Sequence, residues 1–211
     1  MAQNANNAAK IVEFEEDTES SIGRRSSERV SLVYRPVLLE ADGFAGFCLV
    51  RNLSPDGMMG SVYTQFAEGQ QITVQFHPDR VIKASIAWSQ DGNVGIKFDE
   101  EIDVAELLRM LADKQTGAMV NRAPRLHIEC NGVLELDGRA IPIRLRDISQ
   151  RGVKVQASFI RPGDQVVVRL PGLDPHKSLV RWTQDGFAGL NFVCPLAFED
   201  LAIWAIARQS H

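Results

Sequence analysis

Ala87–Phe98 reads AWSQDGNVGIKF and Arg181–Phe192 reads RWTQDGFAGLNF. The two stretches put Trp88 and Trp182, Gly95 and Gly189, and Phe98 and Phe192 each 94 positions apart. Upstream, NLSPDG at Asn52–Gly57 answers DISQRG at Asp147–Gly152 at an offset of 95. Further upstream, Arg29-Val30-Ser31-Leu32 answers Arg125-Leu126-His127-Ile128 at an offset of 96. An offset that changes one residue at a time marks a duplicated unit whose loops have lost single residues. A period near 95 is longer than a solenoid repeat and suits a small self-sufficient domain.

Within each copy the pattern is strand-like. RVSLVYRPVLL is rich in β-branched residues, and RLHIEC alternates, with Leu126, Ile128 and Cys130 on one face and Arg125, His127 and Glu129 on the other. Asp91-Gly92 and Asp185-Gly186, flanked by apolar runs, read as tight hairpin turns in which glycine takes positive φ. About six short strands per copy predict a small barrel, which leaves no open sheet edge. A helix closes each copy. In the first, Asp103 and Glu106 are placed as cap and capping-box partner, and Val104, Leu107, Leu108 and Leu111 form an apolar face that ends before Gly117. In the second, Pro195 suits a first-turn position, with Leu201, Trp204, Ala205 and Arg208 on one face. The expected fold is mainly β: two tandem six-stranded barrels, each followed by a C-terminal α-helix. Expected boundaries are a disordered acidic tail at 1–23, a first domain at 24–117 and a second at 118–211. Trp88, Trp182, Phe98 and Phe192 are expected to fill the barrels, as large aromatics beside hairpins commonly do.

Composition excludes several classes. With 211 residues, 45% of them hydrophobic and 24% charged, the chain is neither collagen-like nor disordered throughout. Its three cysteines, Cys48, Cys130 and Cys194, are widely spaced and odd in number, which argues against a disulfide framework or a C-x-x-C site and for a reducing compartment. No apolar run approaches the roughly 20 residues that span a bilayer, and no leader pattern opens the chain, so a cytoplasmic protein is expected. The net charge of −4 is unevenly spread: residues 1–23 hold one lysine against five carboxylates, whereas residues 118–211 carry twelve basic and nine acidic side chains. Neither half is basic enough to bind a polyanion through bulk charge, so an anionic ligand must meet a local cluster.

Catalytic readings find no support. The four histidines lack metal-type spacing, no H-E-x-x-H, G-x-S-x-G or Walker loop is present, and Ser54 and Ser149 have no neighbouring base. A non-catalytic protein without cofactor or metal is expected. Two local clusters remain. Arg24, Arg25 and Arg29 lie on GRRSSER, just before the first strand; guanidinium groups fork two donors at a phosphate or at the guanine O6/N7 edge and stack on bases. The N-L-S-P-D-G and D-I-S-Q-R-G turns each supply an amide or carboxylate, a hydroxyl and a glycine that admits close backbone approach. Taken singly, these are also a solvated basic patch and an ordinary β-turn.

In combination and in this order, Arg25-x-x-x-Arg29, then Asn52-x-Ser54-x-x-Gly57, then the tryptophan–glycine strand pair and the closing helix, the chain resembles the PilZ domain, a bacterial receptor module for cyclic di-GMP. The resemblance covers residues 24–114, with a weaker copy over roughly 120–208. It implies a six-stranded barrel with a C-terminal helix, in which Arg25 and Arg29 grip phosphates and guanine faces while Asn52, Ser54 and Gly57 face a guanine. Arg24, directly before the motif, goes with capture of a stacked pair of cyclic di-GMP molecules. Copy two keeps Asp147, Ser149 and Gly152, but Asn121 stands where the first motif arginine belongs, Arg122 comes one place late and Pro124 stiffens the approach. It is read mainly as a docking, dimerisation or readout module, with Arg122, Arg125, Asp147, Ser149 and Gly152 as a candidate second site. The resemblance thus implies a receptor that relays ligand binding to an unidentified protein effector; motility, exopolysaccharide synthesis leading to biofilm, and virulence are outputs of related proteins. A homodimer stays open. The rival reading is a PilZ-fold protein-interaction module without nucleotide ligand; binding of single-stranded nucleic acid is disfavoured by 7% aromatic content.

Overall fold

The structure, a computed structural model, describes residues 30–112 and 124–209. Twelve strands and two helices alternate in two equal sets among them: β1 (Val30–Ala41), β2 (Phe44–Ser54), β3 (Gly57–Ser61), β4 (Gln71–His77), β5 (Arg80–Gln90), β6 (Asn93–Phe98) and α1 (Val104–Ala112). The second set is β7 (Leu126–Leu136), β8 (Arg139–Ser149), β9 (Gly152–Gln156), β10 (Gln165–Arg169), β11 (His176–Gln184), β12 (Phe187–Phe192) and α2 (Phe198–Gln209). Each set of strands closes into an antiparallel barrel, ordered β1-β2-β3-β6-β5-β4 and, with the same connectivity, β7-β8-β9-β12-β11-β10. The fold expected from the repeat is the fold observed. The tail 1–23, the motif residues Arg24, Arg25, Arg29 and Arg122, and Gly117 lie outside the described residues.

Hairpin chemistry sets the register. Asp91-Gly92 and Asp185-Gly186 both have two positive φ values, as a two-residue turn that matches strand twist requires, and Asp42-Gly43 and Asp137-Gly138 turn the β1–β2 and β7–β8 hairpins in the same way. Register irregularities recur at matching places in the two barrels: between Val50 and Asn52 and between Leu145 and Asp147, then between Ile86 and Trp88 and between Val180 and Trp182. A bulge re-aims the side chains around it, and these four frame the two candidate rims. Helix α1 starts as expected: Glu106 N–H donates to Asp103 Oδ1 at 2.8 Å, and Leu107 and Leu111 are buried. Pro195 is not in the first turn of α2, which begins three residues later at Phe198.

The barrels have separate cores, with one exchange. Val37, Leu39, Val50, Phe76 and Ile86 fill the first. Leu38 and Phe47, cross-strand partners on the β1–β2 hairpin, point the other way and are buried among second-barrel residues beside α2. A large apolar side chain gains about 1.5–3 kcal/mol on burial, so this pair ties the barrels together.

Candidate functional site

Val30 pairs with Leu53 and Ser31 with Asn52, so β1, which follows the arginine motif in sequence, begins beside the N-L-S-P-D-G turn. The bulge at Arg51 sets Asn52 half-exposed at the border of a hollow of about 240 Å³, which Ser54, Gly57, Met59, Trp88 and Lys97 also line. Ser54 is only 5% exposed; its Oγ lies 2.6 Å from Asp56 Oδ1 and 3.1 Å from the Gly57 carbonyl, so the hydroxyl holds the turn shut. Gly57 pairs with Lys97 on β6, and a Cβ there would collide with the Ile96 carbonyl; glycine is what lets β3 approach this closely.

Trp88 and Trp182 do not fill the barrels. They are 42% and 41% exposed, whereas Phe98 and Phe192 are buried as expected. The cause is the bulge: Ile86 points inward, Ala87 and Trp88 both outward, and the indole lies across Gly95, its cross-strand partner, where any Cβ would strike the ring. Trp182 lies across Gly189 by the same device. The signal was present in the sequence. Counting outward from the two-residue Asp91-Gly92 turn sets Trp88 opposite Gly95, leaving the indole a bare strand to lie on. Trp88 and Lys97 thereby join the candidate site as a flat apolar wall and a cation on its rim, and Met59 adds an apolar edge.

The second barrel brings together Arg125, Asp147, Ser149 and Gly152. Asp147 is 6% exposed and accepts a hydrogen bond from Arg125 Nη1 at 2.5 Å, an ion pair whose arginine side chain is 35% exposed. Ser149, 2% exposed, bonds the Gly152 carbonyl at 3.2 Å, repeating the Ser54 turn. Beside them Glu129 accepts from both Arg144 and Arg146, while Arg146 and Lys154 approach the ring of Phe187 at 5.6 Å and 4.9 Å from its centroid. Arg144, Arg146 and Lys154 are thus engaged with a carboxylate or an aromatic face.

Among the described residues no group of three or more His, Cys, Asp or Glu is placed to hold a metal, and no helix is long and apolar enough to cross a membrane. Burial pushes the Cys48 thiol, packed in the first core, up to about 12.

Residues 23–113 match the family model of the PilZ domain. No curated protein matches the chain. Similar solved structures include the PlzA protein of Borreliella burgdorferi in complex with c-di-GMP, at 12% identity and TM-score 0.38, covering 81% of this chain and 86% of that one. YcgR of Escherichia coli in complex with c-di-GMP is 12% identical, with TM-score 0.35 and coverage of 84% and 85%. The inhibitor of motility MotI/DgrA of Bacillus subtilis is 14% identical, with TM-score 0.32 and coverage of 85% and 98%.

Proposed function

Because residues 23–113 belong to the PilZ domain family, we propose that the chain is a receptor that binds cyclic di-GMP at the rim of its first barrel and passes the change to a protein partner. The observation that carries this reading is the open hollow beside the start of β1, bordered by the neutral amide of Asn52, the bare indole of Trp88 and the Lys97 ammonium. The ligand has two phosphate charges and two guanines. An amide meets guanine N–H and carbonyl groups without charge repulsion, an indole face accepts a stacked base, and a lysine favours a nearby phosphate. Arg25 and Arg29 supply the remaining cations, and Arg24 favours a stacked pair of ligands. Ser54 and Gly57 act by shaping the turn rather than by offering free donors.

The second barrel takes the non-binding role. Its Arg125 stands where Arg29 stands in the first copy and is already paired with Asp147, so the charges a ligand would meet satisfy each other.

Isothermal titration of the full chain with cyclic di-GMP tests the assignment. Arg25→Ala or Arg29→Ala should lower affinity at least tenfold, since each removes a charge-assisted contact of about 1.5–3 kcal/mol. Saturation is expected at two nucleotides per chain. Wild-type affinity in both variants, or no binding by the unmodified protein, would defeat the proposal; a stoichiometry of one would defeat the stacked pair.

A further inference from the structure

We propose that helix α2 of the second barrel braces the ligand rim of the first, with Gln209 and Phe198 as positioning residues for Asn52; this rests on the receptor reading above. The argument starts from strand length. β2 has eleven residues, but β3 pairs only with the stretch from Leu49 to Ser54, so the half from Phe44 to Cys48 runs past the end of its neighbour. Gln209 covers that edge as a strand would. Its Oε1 accepts from the Ala45 N–H at 3.0 Å and its Nε2 donates to the Ala45 carbonyl at 2.7 Å, satisfying both backbone groups with one side chain.

A second contact lies closer to the rim. The Phe198 ring packs edge-on against Phe47, centroids 6.5 Å apart, and lies 6.2 Å from the ring of Tyr63. Tyr63 stands two residues beyond Ser61, the last residue of β3. Arg51 is the bulge residue immediately before Asn52, and its Nε donates to Ser61 Oγ at 3.0 Å. The helix therefore holds β2 at its start and, through Tyr63 and the Ser61–Arg51 hydrogen bond, reaches the bulge that aims Asn52. A bulge lacks the regular pairing that fixes a side chain's direction, so its aim depends on what holds it from outside.

The second hairpin lacks this construction. There Val133 pairs with Pro142 in the places of Leu38 and Phe47, Pro142 is exposed, and Arg169 forms a two-pronged bridge with Glu135 at 2.6 Å and 3.1 Å. Only the hairpin leading to Asn52 is shaped for a helix to sit on.

Coupling is reciprocal: if docking of α2 favours the ligand, the ligand must favour docking by the same factor. In the full chain, Gln209→Ala is expected to weaken cyclic di-GMP binding about fivefold, the low end of common coupling factors, Phe198→Ala by more, and Phe198→Leu to regain most of the loss. Ligand at a concentration that fills the wild-type chain but leaves Arg29→Ala mostly empty should slow hydrogen exchange of the Leu201–Ala205 amides in the former and much less in the latter. A purely structural role for α2 gives no ligand-dependent protection. Wild-type affinity in Gln209→Ala together with unaltered α2 exchange overturns the brace and leaves the receptor reading standing; absence of any binding by the wild-type chain overturns both. Should Phe198→Ala fail to fold, Gln209→Ala and the exchange measurement decide.

Discussion

At the head of the turn motif in the first barrel stands Asn52, a neutral amide bordering an open hollow; at the same place in the second stands Asp147, buried and paired with Arg125 at 2.5 Å. The two turns are otherwise alike: each has its serine bonded to the carbonyl of the motif glycine, and each glycine lets its strand press against a neighbouring backbone. A carboxylate withdrawn from water needs a cation and holds the nearest one. An amide has no such demand and draws no cation to itself. Two further exchanges point the same way: Met59 and Lys97 of the first rim become Lys154 and Asn191 in the second, and Lys154 is drawn onto the Phe187 ring. Duplication supplied one scaffold, and substitutions at its rim set a neutral amide beside a hollow of about 240 Å³ in the first barrel and an Arg125–Asp147 ion pair beside one of about 400 Å³ in the second.

The sharpest test of that contrast is Arg125→Ala. It leaves Asp147 buried without its partner and should destabilise the chain by about 2–3 kcal/mol, below the 3–5 typical of fully buried pairs because Arg125 is partly in water. Cyclic di-GMP affinity should stay unchanged. Thermal unfolding and titration on one sample read both, and a drop in ligand affinity would place the second rim in the binding site. A smaller effect is expected from the tryptophans: Trp88→Ala should lower affinity fivefold to tenfold, within the roughly 1–3 kcal/mol of base stacking, while Trp182→Ala leaves it alone. In the Trp182→Phe variant, quenching of indole emission on titration should persist; its loss would move the stacking surface to the second barrel.

The smallest difference concerns the cores. Cys48 of the first barrel corresponds to Ile143 of the second, and burial raises the thiol from 9.0 to about 12. Below pH 9 the thiol is neutral in folded and unfolded chains alike and this contribution is complete. Between 9 and 12 only the unfolded chain ionises, so stability falls as pH rises. Chemical denaturation at about pH 8 and pH 10 should show a loss that Cys48→Val removes; an equal loss in that variant would assign the effect to another group.

Much of this was legible before any coordinates. Duplication, strand count, the hairpin turns and the Asp103 cap all follow from spacing and from backbone demands that few residues meet, so short stretches sufficed. Trp88 departs from the expectation for a large aromatic beside a hairpin because the bulge at Ile86–Trp88 turns it out of the barrel. Position 195 was misassigned because proline suits the approach to a helix as well as its first turn. The role of Ser54 was legible only as polarity, since whether a hydroxyl bonds its own turn or faces outward depends on the distance between Asp56 and Gly57 after folding.

The sequence by itself determined two barrels of one design, a rim motif in each and the loss of one motif arginine from the second copy, because these depend on residue identity and on contacts a few positions apart. The tertiary structure alone decided that Arg125 reaches Asp147, that an indole lies bare over Gly95, and that α2 closes on a strand 164 residues before Gln209. These contacts join residues far apart in the chain, and their partners are selected by the closure of the barrels and the packing of one against the other, which no local pattern of side chains encodes.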